Sequence, residues 1–201
     1  RYVSMKDDYA KLPLLRMVFP TVPAYHKDEA ALDCLADIIG QGNNSILHKD
    51  FVKKQKAVSA YTAHYTSELA GEFILSVTTY PGQQLKDIEE DLRASLASFE
   101  ARGVLDDDIT QFHNRYEANL VYRLESVSGK VSRLAAYHTF TGNANYTAKD
   151  LDRYMSVTKE DVMRVYQQYI KDKPALILSV LVKGDSLNKA AADNYTVVAD
   201  G

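Results

Sequence analysis

The side chains able to do chemistry in this chain are few and scattered. The densest run is His26-Lys27-Asp28-Glu29. It is the start of a zinc-binding pattern in which two histidines one helical turn apart hold the metal and an intervening glutamate activates its water. The histidine and the glutamate are in register, but Ala30 stands where the second histidine belongs. Zinc needs three or four fixed donors, so losing one of three protein ligands removes useful affinity. Pro23, just upstream, also sets His26 before the start of any helix. Chance is the better account of this run, and an independent metal-dependent hydrolase using His26, Glu29 and distant residues is kept as an alternative.

The remaining candidates have structural readings of equal or greater force. His48, His64, His113 and His138 fall in separate predicted elements, and no two histidines stand four apart. His113 and Glu117 share a helical face, which reads as a surface contact rather than an acid–base pair. Asp106, Asp107 and Asp108 crowd a helix start, where negative charge is favourable. Cys34 lies on a core-facing stripe with no basic neighbour to lower its pKa, so it is read as packing. Gly40-Gln41-Gly42-Asn43-Asn44-Ser45 echoes a phosphate loop but follows a helix and lacks the loop's lysine. Lys49, Lys53, Lys54 and Lys56 are read as a solvated helix face. No residue is therefore assigned as catalytic, cofactor-binding or metal-binding.

These residues sit on a clear succession of elements. Within Asp28–Ser45, Leu32, Leu35, Ala36 and Ile39 form one helical stripe, with Asp28, Glu29, Asp33 and Asp37 expected on the solvent side, Asp28 as a cap and Gly40 and Gly42 as the stop. A strand is predicted at about Leu14–Phe19, ended by Pro20 and Pro23. Period-two alternation in Ala57–Ser67 and Glu72–Tyr80, joined by Glu68–Gly71, predicts an antiparallel hairpin. Leu85, Ile88, Leu92, Leu96 and Phe99 mark a long helix closed by Gly103. The next carries Ile109, Phe112, Tyr116, Leu120 and Leu124, and Gly129 is expected to separate it from one ending at Gly142. Thr147 with Asp150, and Thr158 with Asp161, have capping-box spacing ahead of two short helices. Ala175–Val182 is a continuous apolar run, predicted as a central strand buried on both faces.

The 201 residues suffice for one domain with a real core, and 46% apolar with 25% charged is ordinary globular composition. A net charge of −3 with mixed signs gives no reason to bind nucleic acid or an anionic membrane. One cysteine permits neither an internal disulfide nor a cysteine zinc cluster. The sequence shows neither a membrane-spanning run nor a signal peptide. It opens on Arg1, which reads as an excised segment. The expected division is 1–12 linker and lead-in, 13–186 a single domain, and 187–201 a linker or tail.

The stretch FPTVPAYHKDEAALDCLADIIGQGNNSILHKDFVKKQKAVSA, with a strand before its helix and a hairpin and long helix after, resembles the pitrilysin-type (inverzincin) zinc metallopeptidases. The likeness covers nearly the whole chain but lacks the working H-x-x-E-H motif. It implies an α+β domain, a mainly antiparallel sheet with helices on one face. It also implies a non-catalytic domain of a larger, bacterial zinc protease, which packs against the catalytic domain of the same or a partner chain and helps enclose peptide substrate. The zinc would lie in that catalytic domain, with none in this segment. Exported or periplasmic location follows from the same resemblance. Some non-catalytic domains of the family hold substrate with an arginine and a tyrosine; those places are Phe51 and Val58 here, which cannot do that work. A structural core-type subunit or scaffold of the same descent is the other alternative.

Overall fold

Alternating apolar residues in five strands force one sheet to bury a single face, and the helices supply its cover. The computed structural model describes residues 1–185 and 187–195. Its elements, in chain order, are β1 (Tyr2–Asp7), β2 (Leu14–Thr21), α1 (Glu29–Gly40), a π-helical turn (His48–Val52), β3 (Ala57–Thr66) and β4 (Gly71–Thr79). There follow α2 (Leu85–Arg102), α3 (Asp106–Glu125), α4 (Val127–Thr141), α5 (Thr147–Met155), α6 (Lys159–Tyr169) and β5 (Leu176–Val182). The strand order is β1-β5-β2-β4-β3. All neighbours are antiparallel except β1 and β5. This is the expected α+β architecture.

Leu15, Met17 and Phe19 of β2, Phe73, Leu75 and Val77 of β4, and Ile177 and Leu181 of β5 point to the helices. There they join the stripes of α1, α2 and α6 in one buried cluster. The predicted hairpin forms, but a bulge between Ala57 and Ser59 leaves Val58 exposed, and Ile74 and Ser76 are buried as well as Phe73, Leu75 and Val77. Thr158 and Asp161 close a reciprocal capping box on α6.

Several expectations are corrected. Tyr2–Asp7, read as linker, is an edge strand paired in parallel with β5, Tyr2 opposite Ile177. β2 continues through Pro20 because β5 pairs only as far as Val18; beyond that β2 has one neighbour and a missing amide is tolerated. Residues 187–195, read as tail, are fastened down: Asn188 accepts from the Leu85 amide (2.8 Å) and donates to the Gln83 carbonyl (2.9 Å). The Ala190 amide donates to Ser179 Oγ (3.1 Å). Positions 196–201 of that expectation, and Ser186 at the end of the expected domain, lie outside the described residues.

The break between α3 and α4 is Ser126, which caps α4 by accepting from the Gly129 amide (2.9 Å). Gly129 itself is in the first turn of α4, where a Cβ would meet the Arg123 carbonyl at 2.0 Å. Gly40 is likewise not a turn residue: a Cβ there would lie 2.0 Å from the Thr62 amide, so its bareness lets α1 lie directly on β3. The positive φ that follows α1 belongs to Gly42, at 76°. Finally, β5 is interior in the sheet but buried on one face only, its alternate residues being half-exposed or exposed.

Candidate functional site

The acidic residues of α1, expected to face water, are the hub of the molecule. Asp28 is 1% exposed, and its carboxylate accepts from Arg164 (2.8 Å) and the Tyr169 hydroxyl (2.7 Å), both from α6. It is therefore not a side-chain cap. Burial opposes its charge, but those two hydrogen bonds hold its carboxyl below the ordinary range. Glu29 Oε2 accepts from Arg153 of α5 (2.7 Å) and the Tyr25 amide (2.7 Å), and Oε1 from Thr66 of β3 (2.9 Å). Asp33 takes the Tyr154 hydroxyl and His64 Nδ1, each at 2.6 Å. Asp37 pairs with Arg115 of α3 at 2.6 Å.

A fifth carboxylate, on α5, completes the network. Asp150, expected in a capping box, is buried and bonds Arg153 (2.8 Å), Arg133 (3.2 Å), Tyr137 (2.9 Å) and Tyr116 (3.2 Å). The N-cap of α5 is instead Tyr146, with no side-chain cap bond. Tyr116 stacks on Tyr154 at 3.7 Å between ring centres, nearly parallel. Tyr25, which no local pattern marks, adopts a positive φ of 60° and packs its ring against Phe140 (5.7 Å) and Tyr146 (5.9 Å).

Tyr25, Glu29, Asp33, Tyr116, Asp150 and Tyr154 line a cleft of about 390 Å³ between the start of α1 and helices α3 to α5, with Asn119 and Arg123 also on its wall. Burial, then the neighbouring Asp150 charge, pushes the Tyr25 hydroxyl up to about 12, and the same two causes push up Tyr116. Burial, then Asp33, pushes up Tyr154. All three stay protonated donors at neutral pH. The cleft holds hydrogen-bonded carboxylates and phenols but no activated nucleophile.

The zinc implied by the family does not fit here. His26 precedes α1, as expected, and its Nδ1 accepts from the Asp28 amide at 3.1 Å, leaving the proton on Nε2. Both Glu29 oxygens already accept from protein donors, and Ala30 offers nothing. Among the described residues no group of three or more His, Cys, Asp or Glu side chains could hold a metal.

The other candidates disperse. Burial, followed by the charge of Asp37, pushes the Cys34 thiol up, and its side chain is fully buried. Phe51 is fully buried whereas Val58 is 43% exposed, so the two family substrate-holding places lie in different environments. His113 Nε2 is buried without a hydrogen-bond partner. Asp106 pairs with Lys159 (2.8 Å) and Asp108 with Arg102 (2.5 Å). Lys54 pairs with Asp50 (2.8 Å) and Lys56 with Asp91 (2.7 Å), which neutralises half of the lysine patch.

Comparison with known proteins agrees with this geometry. Residues 1–115 match the sequence model of the peptidase M16 inactive domain, and the chain belongs to that family. It is 27% identical over 157 residues to zinc protease PqqE of Helicobacter pylori, an alignment covering 75% of this chain and 34% of that protein. The chain thus spans about a third of that relative's length. Its fold is similar to the crystal structure of a protease from Helicobacter pylori, with TM-score 0.80 and 20% identity over 90% of this chain and 44% of that one. It is also similar to the periplasmic protease PqqL from Escherichia coli, with TM-score 0.69 and 14% identity over 90% of this chain and 20% of that one.

Proposed function

We propose that this chain is a catalytically silent domain of a larger zinc metallopeptidase. It packs against the catalytic domain, in the same or a partner chain, and forms part of the wall that encloses a peptide substrate. The observation that carries this reading is the state of Glu29: the carboxylate nearest the degenerate zinc pattern is consumed by Arg153, Tyr25 and Thr66, and so serves the fold instead of a metal. Zinc belongs to the catalytic domain of the parent protein, where it would polarise the scissile carbonyl and activate water. Family membership and the partial span of the relative support the larger architecture. No described helix is long and apolar enough to cross a membrane. Export to the periplasm is the compartment we favour, by similarity to a relative described as periplasmic.

The parent protein tests this. Purified whole, it should contain zinc and hydrolyse unfolded peptides in a chelator-sensitive way, and deleting this domain should abolish hydrolysis. Stoichiometric zinc bound by the isolated segment and removed by His26→Ala would overturn the reading. A parent without an H-x-x-E-H sequence would replace it with a scaffold.

A further inference from the structure

The cleft between α1 and helices α3 to α5 holds two kinds of polar group. Its carboxylates are already served: Glu29 by Arg153 and Thr66, Asp33 by His64 and Tyr154, and Asp150 by Arg133, Tyr116 and Tyr137. Three other side chains on its wall are not. Asn119 and Arg123 stand one turn apart on the face of α3 that also carries Phe112, Tyr116 and Leu120 into the cleft. Among the described residues neither side chain makes a hydrogen bond or an ion pair, and the Tyr25 hydroxyl makes no hydrogen bond. Arg123 can only donate, the Asn119 amide donates through its nitrogen, and burial keeps the Tyr25 hydroxyl protonated. The spare capacity of the cleft is therefore for an acceptor, and the unpaired guanidinium makes that acceptor an anion. Beside these donors Phe112 and Leu120, both buried, and Phe140 supply an apolar wall.

We propose that this cleft binds the free C-terminal carboxylate of a peptide whose last side chain is apolar. Arg123 and Asn119 receive the carboxylate from α3, the Tyr25 hydroxyl adds a donor from the α1 side, and the last side chain lies against Phe112, Leu120 and Phe140. Its volume of about 390 Å³ sits near the lower end of small-ligand sites, which suits a chain end. The proposal rests on the function inferred above, in which this chain borders a peptide chamber, and names the part of the peptide that it reads. An amino terminus carries the wrong charge for these donors, so the cleft distinguishes the two ends of a chain. Hydrolysis of a peptide bond leaves a new carboxylate on the N-terminal product, so the site takes products as well as the ends of substrates.

The experiment is fluorescence anisotropy on the full parent protein, stripped of zinc by a chelator so that no peptide is cut, with a short N-terminally labelled peptide ending in leucine. The free acid should bind about tenfold more tightly than the same peptide with a C-terminal amide. An amidated peptide with an internal glutamate should bind no better than the amide. Arg123→Ala should abolish the preference for the acid, and Arg123→Lys should keep part of it. Arg123 is exposed, so both variants should keep the zinc content of the untreated parent. Equal affinity for acid and amide, no binding of either, or a preference for the acid that survives Arg123→Ala overturns the proposal. Binding of the internal-glutamate peptide as tightly as the acid also overturns it, because the chain end would then not be what is read. If the untreated parent contains zinc and cleaves peptides, such results remove the carboxylate site alone. A parent with neither property removes the function inferred above, whatever the anisotropy reads.

Discussion

The sheet with α1, α2 and α6, and the arm made of α3 and α4, use similar side chains to different ends. In the first, Leu15, Met17, Leu32, Phe73 and Phe99 are buried to within 2% of complete. In the arm, α3 fully buries only Phe112 and Leu120, and α4 only Tyr137. Tyr122, Val127 and Val131 stand 74%, 77% and 59% exposed on it. Hydrocarbon packing holds the body, whereas the arm is held at its base by the Asp150 network and the Tyr116–Tyr154 stack. Stability within one chain is therefore graded, and the arm is the part free to open first.

The sharpest way to break this contrast is Asp150→Ala. It leaves the largely buried Arg133 without a carboxylate and Arg153 with Glu29 alone. We expect a loss of about 3–5 kcal/mol by thermal unfolding, with faster amide exchange in α3 and α4 than in the sheet. A matched pair of truncations comes next: Met17→Ala in the body should cost about 2–5 kcal/mol. Val131→Ala on the arm should stay within about 0.5 kcal/mol, both read by urea unfolding. Similar losses at the two sites would show that the arm is packed after all.

Between those two truncations lies Asp28→Asn, expected to cost about 1–3 kcal/mol because it weakens the bonds from Arg164 and Tyr169. Its sign follows from protonation. Folding lowers the Asp28 pKa, so the unfolded chain binds the proton more readily. The stabilisation is complete above the ordinary carboxylate range and fades as pH falls through the depressed folded value. The gap between wild type and Asp28→Asn should accordingly shrink as pH falls below the ordinary aspartate range, about pH 4.

What was legible in the sequence was local. The stripe of α1, the alternation of β3 and β4, and the long period of α2 each contain their own pattern, and the family likeness joined them into the right architecture. β1 was missed because its strand character depends on pairing with residues about 175 positions later. The acidic side of α1 was misread because its partners, Arg153, Arg164 and Tyr154, lie 121 to 136 positions away. Asp150 has capping-box spacing but is drawn inward by Arg133 and Arg153, since two cations need one anion more than a helix end needs a cap. The one forward signal of the network was an excess of aspartate and glutamate on α1 without basic residues in the same helix.

Tyr2 and Asn194 exchange two hydrogen bonds, the Tyr2 amide giving to Asn194 Oδ1 (2.8 Å) and the Asn194 amide to the Tyr2 carbonyl (3.1 Å). A polypeptide passing through this fold consequently enters and leaves at one corner, beside β1. Such a unit can be slotted between other domains without pulling them apart, and a rearranged gene that splices those two points and opens the exposed 68–70 bend preserves every strand neighbour.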